Sequence, residues 1–120
     1  MTEFNEQEWQ EAKAKFEKIF GEGLEMDGLL FLIGVQELGQ GFRKFEKDEK
    51  MNLMHIAACK LLEPFQYYRF SHRDEQGWPH YDKSDNLPGL SKKDQDRLLK
   101  QAIIKYSRTA LQIVCLWFLV

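Results

Sequence analysis

Residues 27–39 read DGLLFLIGVQELG, and the fold turns on how this stretch is built. Leu29, Leu30, Phe31, Leu32, Ile33, Val35 and Leu38 leave it almost no polar face, and a helix apolar all round has to be covered all round. As a strand it would suit the interior of a parallel sheet, but nothing else in the chain supplies the repeating strand-and-helix units such a sheet needs. The stretch is therefore read as a central helix enclosed by its neighbours.

On its N-terminal side, Asn5 stands where a cap belongs and Glu8 at the third helical position. Phe4 and Trp9 occupy the two places of a hydrophobic staple. Trp9, Ala12, Phe16, Ile19 and Phe20 follow at helical spacing until Gly21, the natural stop. On its C-terminal side comes GQGFRKFEKDEK. Gly39, Gly41, Arg43 and Lys44 there read as a helix stop with a basic turn, since a phosphate loop would need further glycines at fixed offsets after a strand. A third helix runs from about Asp48 to Glu63. Its stripe is Met51, Met54, Ala58, Leu61 and Leu62, widened by Leu53, Ile56 and Ala57, and Pro64 ends it.

From Phe65 to Asp82 aromatic alternation replaces the helical period, broken by Asp74-Glu75-Gln76-Gly77, which has the residues of a type I turn. This predicts a β-hairpin. With Arg73 opposite Trp78, counting back pairs His72 with Pro79, Ser71 with His80, Phe70 with Tyr81 and Arg69 with Asp82. Tyr68, Phe70, Pro79 and Tyr81 then face the helices. Arg69, Ser71, Trp78, His80 and Asp82 take the other face, so His72 and His80 lie on opposite sides. A cation–π contact between Arg73 and Trp78 is also expected in this register. Ser91 and Asp94 begin a capping box that opens helix four, whose stripe of Leu98, Leu99, Ala102, Ile103, Tyr106, Ala110, Ile113, Val114 and Trp117 extends toward the end of the chain. The expected fold is mainly α, a single helical domain over residues 1–120 with four helices and one β-hairpin between helices three and four.

Composition bounds the partners. The 120 residues carry a net charge of −2, so no basic field exists to hold a nucleic-acid backbone. Residues 1–30 hold three Lys against eight Asp and Glu, while 83–108 hold seven Lys and Arg against three Asp. Those two segments should attract each other, within one chain or between copies. The run ALQIVCLWFLV at 110–120 is apolar nearly all round, but Lys105 and Arg108 cut it short of the roughly 20 residues a membrane span needs. Burial in the core or against a second copy is the expectation, and the expected partner is a further copy of the chain, a homo-oligomer formed through the C-terminal helix. The acidic, polar N-terminus is unlike a secretory signal and gives a cytoplasmic expectation.

Catalytic motifs are missing. His55 and Cys59 lie one helical turn apart, the spacing a helix uses to offer two zinc ligands, but a zinc site takes three or four protein ligands, and neither a metal nor any other cofactor is expected. No Glu-x-x-His pair supports a di-iron bundle, no GxSxG elbow supports a serine hydrolase, and nothing but His55 stands near Cys59 as a base. The expectation is a small non-enzymatic interaction or regulatory module acting as a homodimer. The alternative is a small-molecule-binding protein or enzyme with a pocket between the hairpin and helices two and three, its polar lining drawn from Glu37, His55, Arg69, Trp78 and His80.

Overall fold

A computed structural model describes the backbone of residues 5–41, 43–85 and 89–119, and the side chains of the same residues as far as 108. Phe4 of the proposed staple, Cys115 and the stripe positions from Ala110 to Trp117 lie outside the described side chains. Among the described residues there are four α-helices, α1 (Glu6–Phe20), α2 (Met26–Leu38), α3 (Lys47–Leu62) and α4 (Lys92–Leu119), with strands β1 (Tyr68–Arg73) and β2 (Pro79–Lys83) between α3 and α4. Among the described residues no helix is long and apolar enough to cross a membrane. The elements divide into two compact units, α1 with α4 and the segment Glu25–Gly89.

In the first unit, α1 starts where its sequence says it should: the Glu8 amide donates to the Asn5 side chain at 3.2 Å. It stops at Gly21, whose amide donates to the Glu17 carbonyl at 2.8 Å. Trp9, Ala12 and Phe16 are buried, as are Ala102, Ile103, Ile104 and Tyr106 of α4. At the opening of α4 the Asp94 amide donates to Ser91 Oγ at 3.2 Å. The opposite charges of the two segments meet within one chain, where Arg108 Nη2 lies 2.8 Å from Glu8 Oε2, and the Lys100 ammonium stands 5.5 Å from the Trp9 ring centroid.

The second unit is built on α2 against α3. The stretch 27–39 is helical, Leu29, Leu30, Ile33, Gly34, Val35 and Leu38 are buried in it, and Gly39 ends it in the left-handed region at φ +75°. Gly34 is the contact point: a Cβ there would collide with the Leu53 backbone carbonyl of α3. That approach selects which side of α3 faces inward. The buried stripe is Leu53, Ile56, Ala57 and Leu61, with Cys59, so the stripe expected through Met51 is corrected: Met51 is 63% exposed. Helix α3 begins at Lys47 because Glu46 and Glu49 close a reciprocal cap, each carboxylate accepting the other's backbone amide. Pro64 falls in a single 3-10 turn, Glu63–Phe65, that follows the helix. Phe45, which no helical period singles out, is also buried, edge-on to Phe31 at 5.9 Å and beneath the Arg43 guanidinium at 4.2 Å.

The hairpin corrects its expected register in one half and keeps it in the other. Near the base, Phe70 pairs with Tyr81 and Arg69 with Asp82; near the turn, Arg73 pairs with Pro79 and His72 with His80. Two single-residue offsets account for this. At the turn, Asp74 bonds to both Gly77 and Trp78 while Gly77 sits at φ +87°, the three-residue loop in which an αL glycine adds a residue to the second strand. Along β1 a bulge between Phe70 and His72 adds Ser71 to the first strand, and the two offsets cancel.

Candidate functional site

Trp78 and Arg73 decide what lies between the hairpin and the helices. The turn offset carries Trp78 inward, against the expectation that it would share the open face. It is 8% exposed and packs with Val35, Leu38, Phe45, Leu53 and Ile56, while Phe31 and Tyr81 flank the cluster. The Arg73 guanidinium does not stack on Trp78 as expected. It reaches the end of α2, donating from Nη2 to the Glu37 carbonyl at 2.9 Å and from Nη1 to the carbonyls of Leu38 and Gly77 at 3.3 and 2.8 Å. A cation supplied to a helix C-terminus satisfies carbonyls that have no partner inside the helix. Gln40 Nε2 adds a bond to the Gln76 carbonyl at 2.8 Å. Phe70, expected to face the helices, is instead 44% exposed, its ring edge-on to Tyr81 at 5.7 Å.

The five candidate residues are therefore used separately. Glu37 is half-buried and lends its backbone carbonyl to Arg73; its carboxylate, with that of Glu63, helps burial hold the Tyr81 hydroxyl above its ordinary pKa. His55 is exposed on α3, with Nε2 3.5 Å from Cys59 Sγ and its ring edge-on to Tyr68 at 6.4 Å. Burial pushes the Cys59 thiol up to about 11, the reverse of what a nucleophile needs. His80 is exposed at the far end of the hairpin, bonded through Nε2 to Asp74 Oδ2 at 3.0 Å. Among the described residues no three His, Cys, Asp or Glu side chains stand where one metal ion could touch them all.

Arg69 lies at the base of the hairpin on a cleft of about 540 Å³ lined chiefly by Glu63, Gln66, Tyr68, Asp82, Lys83 and Asp85. The backbone helps to shape this cleft, since Gln66 adopts φ +66°, a left-handed conformation uncommon for a residue with a side chain. The chain returns beside it through the Ser84 amide, which donates to the Tyr67 carbonyl at 2.9 Å. The lining mixes three carboxylates with two cations.

At the turn, Asp74 gathers the donors. Its Oδ1 accepts from the Gln76 and Trp78 amides at 3.0 and 2.9 Å, and the His80 bond followed by these amides holds its carboxyl below the ordinary range. Across the strands the rings of His72 and His80 stack, 4.9 Å between centroids and 7° from parallel. This pairing was hidden in the sequence because a continuous register separates the two histidines; a glycine fourth in the turn was the available sign that the count could shift. No protein-family model, curated protein or solved structure matches the chain.

Proposed function

We propose that this protein is a non-enzymatic interaction module that works as a homodimer through the C-terminal part of α4. The observation that carries the reading is the filled contact under the hairpin: Trp78 occupies the space a ligand pocket between the hairpin and α2 and α3 would need. Two further points support it. Every buried side-chain nitrogen and oxygen among the described residues has a hydrogen-bond partner, so the core beneath the hairpin is satisfied as well as filled. Helix α4 continues to Leu119 through a sequence in which Gln112 is the one polar residue after Ala110, and a stretch with that composition has to be covered by something.

Ile113 and Trp117 are four apart, hence neighbours on one helix face. Sedimentation equilibrium of the full chain is expected to give twice the 14.3 kDa chain mass, and Ile113→Glu to give the single-chain mass with unchanged helicity. A single-chain mass for both proteins would refute the proposal.

A second reading is favoured by the cleft at Arg69, whose mixed charges suit a small zwitterionic ligand. A thermal-shift screen of charged metabolites tests it: a ligand in large excess should stabilise the chain by a few kcal/mol, and Arg69→Ala should abolish the shift.

A further inference from the structure

We propose that His72 and His80 form a two-histidine binding site for a divalent transition-metal ion on the exposed side of the hairpin. The two residues are direct cross-strand partners, which brings their Cβ atoms to roughly 4.5–5.5 Å. Both side chains are exposed. In the stack each ring has one nitrogen engaged: His72 Nδ1 meets Ser71 Oγ at 2.9 Å, and His80 Nε2 meets Asp74 Oδ2 at 3.0 Å. With those nitrogens carrying the protons, His72 Nε2 and His80 Nδ1 keep their lone pairs, the form in which imidazole binds a metal.

A carboxylate behind a ligating histidine is the usual arrangement in metal sites, where it fixes the tautomer and makes the ring a better donor. Asp74 stands in that position, is itself fixed by the Gln76 and Trp78 amides, and takes no coordination position. Closing on a metal requires the two rings to rotate out of their parallel stack, which exposed side chains can do. Two imidazoles leave the remaining coordination positions to water. Affinity is then expected to follow the general order for nitrogen ligands, with Cu2+ above Ni2+, Co2+ and Zn2+. The site exists only through the paired offsets at Gly77 and Ser71; in an unbroken register His72 would face Pro79.

The test is titration of the full chain with Cu2+ in a non-coordinating buffer, followed by calorimetry and electron paramagnetic resonance. One Cu2+ per chain with a two-nitrogen signature is expected. His72→Asn and His80→Asn should each weaken binding by more than Asp74→Asn, for which about 10- to 100-fold is typical of a carboxylate lost from behind a ligand. His55→Asn should leave binding unchanged. In the unsubstituted chain, substoichiometric Cu2+ should broaden the ring proton resonances of His72 and His80 before those of His55. No uptake, uptake indifferent to both hairpin substitutions, or broadening of His55 first would overturn the proposal.

Discussion

The guanidinium of Arg73 donates to the backbone carbonyl of Glu37 at 2.9 Å, so the hairpin closes the C-terminus of α2 with a charged cap. Since α2 has no basic residue in its last turn, the cap has to come from elsewhere in the chain. Arg73→Ala is expected to destabilise the protein by about 1.5–3 kcal/mol in urea unfolding, the usual range for hydrogen bonds to a charged group. Arg73→Lys should recover only part of the loss, because an ammonium lacks the planar fork that reaches several carbonyls at once.

Gly34 sets the spacing of α2 and α3. Gly34→Ala is expected to cost roughly 1–3 kcal/mol although alanine is the better helix former, because the added methyl meets the backbone of Leu53 and cannot be relieved by a rotamer change. Urea unfolding of this variant is the check. A gain in stability would mean that the helices do not approach as closely as described.

Trp78 holds the hairpin to the helices. Trp78→Ala should cost about 3–5 kcal/mol, as expected for removing a buried aromatic ring. Trp78→Phe should cost less. Metabolite binding gained by the alanine variant alone would show that the indole fills a space able to hold a ligand.

Alkaline pH should weaken the fold through Cys59. Its folded pKa of about 11 lies above the ordinary 9.0 because burial disfavours the thiolate. The raised value means that its contribution is complete below pH 9, declines above it and is lost by about pH 11. Burial moves Tyr68 and Tyr81 in the same direction. Thermal melts from pH 8 upward should therefore show falling stability, with a shallower fall in Cys59→Ala. A thiol reagent at neutral pH should modify Cys59 only at the rate of unfolding.

Much of this fold was legible in the residues. Asn5, Gly21, Gly39 and Ser91 marked helix ends because capping is local chemistry, and the apolar run at 29–38 identified α2, although Phe31 and Leu32 are half-buried where cover on every side was expected. The inward side of α3 was not legible, since Leu53 faces in only because Gly34 lets α2 approach it, and no period within α3 encodes that. The hairpin was half legible: Phe70 and Tyr81 paired as counted, but the Gly77 and Ser71 offsets moved Trp78 into the core and brought His72 opposite His80. Glu37, His55, Arg69, Trp78 and His80 were grouped by chemistry, and the packing distributes them.

The central claim is that the end of α4 is covered by a second copy of the chain, and hydrogen–deuterium exchange at low and high protein concentration tests it most directly. Amides of residues 110–119 should exchange more slowly as concentration rises, while those of α2 stay protected throughout. Exchange in 110–119 that does not change with concentration would contradict the claim.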